Sequence, residues 1–189
     1  IIINRIIQQE EKIHIINKLM PIGVSDKMID KIIDHYGSVP LAIQKINESM
    51  YNLCEVEGLG FKKVDSYALQ NGEETTSVKR IEAYLNYLTQ QSTQEGHSWT
   101  GVEDVVKSAK KELKIDAHYI EHFIQSINNN KDSYLLNVNG RITTKFYYGH
   151  ELKVFNHLNR INQKYIRPQL NNDELEKIIQ DVEDELQLQ

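Results

Sequence analysis

Gly58-Leu59-Gly60, followed at once by Phe61-Lys62-Lys63, is the stretch of this chain whose residue types could hold an anion. Glycine reaches backbone angles closed to other residues and carries no side chain, so a phosphate could approach the backbone N–H groups where the next helix begins. Leu59 would plug the turn into the core. Lys62 and Lys63 fall in the first turn of the expected helix, where a cation opposes the helix dipole and a bound anion would account for it. A glycine turn between two packed helices with surface lysines would carry the same residues, and a lone Gly-x-Gly leaves both readings open.

A second copy lies about 35 residues upstream, where Pro21-Ile22-Gly23-Val24-Ser25 precedes Asp26-Lys27-Met28-Ile29. It is again a glycine, an apolar residue and a small residue entering an amphipathic helix, so the pattern is a tandem helix-hairpin-helix. Paired units of this kind pack into one body that can grip both strands of a duplex across the minor groove. The candidate DNA-binding residues are therefore Gly58, Leu59, Gly60, Lys62 and Lys63, with Gly23, Val24, Ser25 and Lys27 as a second set. Ser25 stands where the second glycine would be, so the upstream phosphate contact is expected to be the weaker.

Other chemistry is thinner. His118-Tyr119-Ile120-Glu121-His122 has the order of one class of zinc peptidases, but all three polar residues fall opposite the apolar stripe and no third ligand is evident. No metal site is expected. Trp99 and the ten tyrosines could stack on bases, although most fall at the borders of helix cores. Lys107, Lys110, Lys111 and Lys114 make a one-sided strip, either ordinary solvated surface or a second phosphate-binding face. His97 could touch phosphate or fix a turn, and the turn is the expected role. Cys54 is the single cysteine, which excludes an internal disulfide and any multi-cysteine zinc site; a core position is expected for it.

The elements that must position these residues read as helices. Hydrophobic residues at 40% and charged residues at 26% are those of a globular protein, and no apolar run approaches the length of a membrane span. Asn4 to Leu19 forms a broken stripe with Ile6, Ile7, Ile13, Ile16 and Leu19 inward, ended by Pro21. Ser25 caps a helix stopped at Gly37, Ser38 with Pro40 opens another, and a short turn leads to the second hairpin, whose helix ends near Asn71-Gly72. Val78 to Gln91 is long and amphipathic. Thr100-Gly101-Val102-Glu103 has capping-box spacing before a helix to Leu113, and Asp116 caps a further one. The period then alternates across Tyr134 to Val138 and Arg141 to Phe146, flanking Asn139-Gly140, a hairpin signal. Helices followed by a small hairpin are the layout of a winged helix, with Arg141 and Lys145 on a basic wing. A last core helix runs from Tyr148 to Ile161 with Leu152, Phe155 and Leu158 inward, and Pro168 breaks the chain.

The net charge of −5 is unevenly spread. Beyond Asn171 seven acids face one base, Lys177, which leaves the rest of the chain at about +1. A near-neutral body with local basic clusters can bind DNA with affinity that falls with salt in proportion to a few phosphate contacts. The acidic segment carries Leu175, Ile178, Ile179 and Val182 at helical spacing, a stripe that needs a cover.

Taken in order, the residues resemble the N-terminal region of the stand-alone RecD-type DNA helicases, which work without RecB and RecC and are related to the exodeoxyribonuclease V alpha chain. Lys31-Ile32-Ile33 with Tyr36-Gly37, Tyr51 with Leu53, and Gly58-Leu59-Gly60-Phe61-Lys62 with Asp65 and Ala68 carry the likeness. Arg80, Ala83, Tyr87, Leu88 and Gly96-His97 continue it. Ser49-Met50, Lys63-Val64 and Ser98-Trp99 depart from the family's usual residues. The specific likeness covers about Lys31 to His97. It implies a superfamily-one motor, moving five-prime to three-prime, beyond the acidic helix. The sequence contains no Gly-Lys dipeptide, hence no loop to cradle ATP phosphates. ATP and Mg are expected only for that absent motor, and no cofactor here.

The expected fold is mainly α: a tandem helix-hairpin-helix domain over residues 1–73, a winged-helix-like helical domain with one small β-hairpin over 74–168, and an acidic helix over 169–189. The chain is read as a non-enzymatic piece of a longer cytoplasmic protein, bacterial or phage-encoded, serving DNA repair or recombination. Its partners would be single-stranded, forked or duplex DNA and the motor domains in cis, with no membrane. The alternative is a module that docks the helicase on a replication or repair protein.

Overall fold

In the computed structural model of the chain, the described residues are 12–164 and 171–186. Ile6, Ile7 and Pro168 lie outside them. The first helix, α1 (residues 12–19), buries Ile15 and Leu19, whereas Ile13, expected inward, is exposed. Pro21 sits inside a 3-10 turn, Met20–Ile22, which Gly23 ends. α2 (Asp26–Tyr36) follows Ser25 and stops at a left-handed Gly37. α3 (Val39–Glu48) is capped by Ser38, whose hydroxyl accepts from the Leu41 N–H, and has Pro40 in its first turn. A 3-10 turn, Met50–Glu55, leads to α4 (Phe61–Gln70). α5 (Val78–Gln94) is capped by Ser77, which accepts from Arg80 N at 3.1 Å.

Beyond α5 the order is β1 (Thr100–Gly101), α6 (Val102–Leu113), α7 (Ala117–Ser126), β2 (Leu135–Val138) and β3 (Arg141–Thr144). The strands form an antiparallel sheet in the order β1-β3-β2, with Thr100 opposite Ile142 and Val138 opposite Arg141. Asn139 and Gly140 turn the hairpin with positive φ at both positions, the geometry that Asn-Gly tolerates best. Two expectations are corrected. Thr100 is not the cap of a capping box: it pairs with β3, Gly101 occupies the cap position, and the Thr100 hydroxyl oxygen is buried without a partner. Lys145, expected on the wing, is the first residue of α8 (Lys145–Lys164), with Nζ donating to the Lys131 carbonyl at 2.7 Å.

The chain divides into a unit ending at Tyr148 and one beginning at Gly149, so the boundary expected at residue 73 lies inside the first unit. The second holds most of α8 together with α9 (Asn172–Leu186). Leu152, Phe155 and Leu158, expected inward, are exposed, as are Leu175, Ile178, Ile179 and Val182 of α9. A single helix can bury its apolar stripe only against another element.

The first unit has one continuous core running from Ile15 and Leu19 through Leu53, Leu59 and Val64 to Leu85, Phe123 and Ile142. Inside it sits an ion pair. Arg80 Nε and Nη2 donate to the two carboxylate oxygens of Asp65 at 2.8 and 2.9 Å, and the Tyr51 hydroxyl donates to Asp65 at 2.7 Å. Arg80 Nη1 donates to the Thr75 and Leu113 carbonyls at 2.7 and 3.1 Å. One guanidinium thus joins α4, the link before α5 and the end of α6. Both side chains are nearly inaccessible, at 5% and 12%, so removing either strands a buried charge. Arg80→Ala should cost about 3–5 kcal/mol, read as a fall in the urea midpoint; a change below 1 kcal/mol would remove the pair from its structural role.

Candidate nucleic-acid interface

The two hairpins have the same backbone. Gly23 and Gly58 occupy the left-handed region at φ +90° and +89°, where an L side chain is strained and glycine is not. Ser25 and Gly60 are both extended, at φ −74° and −76°, and each gives its carbonyl to the first turn of the following helix. The expectation that Gly60 also needs glycine's backbone freedom is therefore corrected. Its place is one serine fills equally well upstream, and the space where a Cβ would stand is open. What glycine adds there is a bare approach to the N-terminus of α4.

The apolar residue between the small ones faces inward in both copies, with Val24 and Leu59 buried. Their N–H groups face inward too: Val24 donates to Leu19, Leu59 to Val56, and Gly23 to Met20. Leu59, Val24 and Gly23 consequently hold the turns rather than offer donors. The outward-facing donors are those of the helix starts, Gly60, Phe61 and Lys62 on α4 and Ser25, Asp26 and Lys27 on α2, which helix geometry leaves without intrahelical partners.

Each hairpin leans on the other's helix. A Cβ on Gly58 would stand 3.5 Å from Met28 Cε of α2, and one on Gly23 would stand 3.9 Å from Tyr67 Cε1 of α4. The Tyr67 hydroxyl also reaches the Gly23 carbonyl at 3.5 Å. This reciprocal packing sets the two turns side by side.

Residues 8–99 match the family model described as the ATP-dependent RecD2 DNA helicase HHH domain. The match spans just under half of the chain. No curated protein matches the chain. The match runs past residue 73 through the whole of α5, the helix that supplies Arg80, so the matched segment includes the ion pair on the second hairpin's helix.

Charge separates the two hairpins. Lys62 and Lys63 are exposed on the first turn of α4, without an acid beside them in that turn. Lys62 Nζ lies 3.1 Å from Glu112 on α6, a hydrogen bond that raises the lysine's pKa. Lys63 has no ion pair among the described residues. Upstream, Lys27 is exposed but Asp26 sits in the same first turn of α2, where its carboxylate already serves the dipole and repels a phosphate. Lys107, Lys110 and Lys111 are exposed along α6, Lys114 ends it in a left-handed conformation, and Glu112 stands among them.

The remaining candidates find other places. His97 does its structural work through the backbone: its N–H bonds the Ser92 carbonyl while Gly96 takes φ +91°, the αL ending of a helix. His118 bonds Asp116 at 2.9 Å on an exposed face, and no three metal-ligating groups cluster among the described residues. Tyr51, Tyr67 and Tyr84 are buried, and Tyr51 and Tyr84 ring Phe61 with Tyr87. Burial holds the Tyr84 hydroxyl up at about 12. Trp99 is exposed, with the Arg141 guanidinium 4.1 Å above its ring. Cys54 is only half-buried, in a cleft wall rather than the core, yet burial pushes its thiol up to about 12.

Sequence reasoning quoted Asp65 and Arg80 without a role and did not pair Lys62 with Glu112. Arg80 directly before Ile81, on the inward side of an amphipathic helix, was the available signal for a buried partner. Gly58→Ala should lose about 1–2 kcal/mol through its left-handed φ, whereas Gly60→Ala should stay within about 0.5 kcal/mol of wild type; chemical unfolding of the two variants compares them. At pH 8 the native Cys54 should react with iodoacetamide far more slowly than the urea-unfolded chain, because almost none of the thiol is ionised.

Proposed function

We propose that the first unit is an accessory DNA-binding region of a RecD2-type helicase that holds the phosphate backbone without reading base sequence. The observation that carries this reading is the side-by-side pairing of two hairpins with matching backbone. Each presents a helix N-terminus, within a segment that matches a helicase's HHH domain. Two such donors set together suit two phosphates on opposite sides of a minor groove. Position is supplied in this way and base identity is not.

The two copies contribute unequally. α4 offers Gly60, Phe61 and Lys62 N–H groups with Lys62 and Lys63 as charge partners. α2 offers Ser25, Asp26 and Lys27 N–H groups against the charge of Asp26. The following helix, strand, two helices and hairpin, with sheet order β1-β3-β2, have the order of a winged helix. Residues 74–168 then supply a wing whose Arg141 is braced on Trp99. In this reading the acidic helix α9 leads to the motor, to which ATP hydrolysis, unwinding and a part in repair or recombination belong. A bacterial or phage cytoplasmic setting goes with it; no described helix is long and apolar enough to cross a membrane.

A second reading, docking on a replication or repair protein, is favoured by one observation: the apolar residues of α8 and α9 are exposed along both helices.

Fluorescence anisotropy of labelled duplex, forked and single-stranded DNA over a salt series tests the first reading. Lys63→Ala should weaken binding to all sequences alike and reduce the slope of log affinity against log salt by about 1. Lys62→Ala should behave similarly, and Glu112→Gln, which releases Lys62, should tighten binding. Binding insensitive to salt and to all three substitutions would exclude phosphate contact at the second hairpin.

A further inference from the structure

The first unit contains a cleft of about 600 Å³, walled on one side by Gly60, Phe61 and α5 and on the other by the hairpin and the first residues of α8. A volume of this size suits a small planar group rather than a single water. Because Gly60 is part of its wall, a strand whose phosphate sits on the N-terminus of α4 has the cleft beside it.

The lining is chemically specific. Tyr134 presents its ring with two-thirds of the residue exposed and has no ring neighbour among the described residues. Phe146 is similarly exposed, and Tyr87 is half-buried against Phe61. Asn86 and Gln90, also in the lining, offer amides that can both donate and accept. Glu82 also lines the cleft, and its Oε1 is buried with no hydrogen-bond partner. A buried acceptor left unmade is costly and calls for a donor. Lys79 and Lys145, the two cations of the lining, already donate to the Glu48 and Lys131 carbonyls.

We propose that this cleft takes an unpaired nucleobase of a single strand anchored at α4, stacked on Tyr134 and donating an exocyclic amine to Glu82. Stacking asks only for a π face and is indifferent to sequence. The Glu82 contact is not indifferent, because cytosine carries an N4 amine that a glutamate accepts from and thymine presents a carbonyl there. A paired base is held in its duplex and cannot enter. The inference rests on the DNA-binding reading above and adds a preference for an unpaired, amine-bearing base.

The test compares the intact chain with Tyr134→Ala and Glu82→Gln by anisotropy of labelled oligo-dC, oligo-dT and blunt duplex, with thermal melts confirming that each variant is folded. Wild type should bind oligo-dC more tightly than oligo-dT. Tyr134→Ala should weaken single-strand binding about tenfold and leave duplex binding unchanged. Glu82→Gln, which brings a donor, should shift the preference toward oligo-dT. Equal losses on single strand and duplex, or no difference between oligo-dC and oligo-dT, would overturn the cleft assignment while leaving phosphate binding at the hairpins standing. Displacement of oligo-dC by duplex without any effect of Tyr134→Ala would do the same. No binding to any DNA would overturn both, and saturable binding of an arginine-rich peptide in its place would assign the cleft to a protein partner.

Discussion

The first unit depends on the Asp65–Arg80 pair. Asp65 lies on the helix that follows the second hairpin, and Arg80 lies on the helix after it. The guanidinium also holds the carbonyls of Thr75 and Leu113. A charge so nearly inaccessible is tolerable only with its partner present and its other donors satisfied. Here four donor contacts from Arg80 and one from Tyr51 meet that requirement, and the hydrogen bond to Asp65 holds the guanidinium's pKa up. Removing the guanidinium would loosen α4 from α5 and α5 from α6 at once. The hairpin that presents Gly60 and the helix that carries Glu112 are held in one frame by the same group.

That frame accounts for the asymmetry between the hairpins. Both turns have the same backbone, since each places a glycine in the left-handed region and a small residue at the helix cap. Their surroundings differ. Asp26 occupies the first turn of α2, whereas the first turn of α4 has Lys62 and Lys63 and borrows its acid, Glu112, from a helix beyond the segment that matches the helicase HHH model. The pairing of Lys62 with Glu112 is solvent-exposed and therefore weak. An anion at α4 has only an exchange of partners to make.

Much of the fold was legible in local chemistry. Ser38 and Asp116 were read as opening helices from their types and spacing, and each accepts a first-turn N–H. Asn139-Gly140 was read as a two-residue turn and takes positive φ at both positions. The failures share one cause. Thr100 has the spacing of a capping box but pairs with Ile142 of β3, 42 residues on, and no local pattern announces a two-residue strand. On α1 Ile13 was placed inward and Ile15 left out of the stripe, the reverse of their burial, because a stripe of isoleucines shows that a helix is amphipathic without showing which edge its neighbours cover. The apolar stripe of α8 was expected inward and is exposed, since amphipathicity states that a partner is wanted and not where it is.

The sequence by itself determined the hairpins. Glycine at a left-handed position, a buried aliphatic beside it and an amphipathic helix after it are local requirements, and the repeat about 35 residues apart made them visible twice. Tertiary structure alone decided what those hairpins face. That Gly58 meets Met28 and Gly23 meets Tyr67, that Lys62 finds Glu112, that Arg80 reaches Asp65, and that Gly60 borders a cleft with Tyr134 are contacts between residues far apart in the chain. The physical reason is that backbone angles and helix caps are set within a few residues, whereas burial and charge pairing are properties of the whole packed unit.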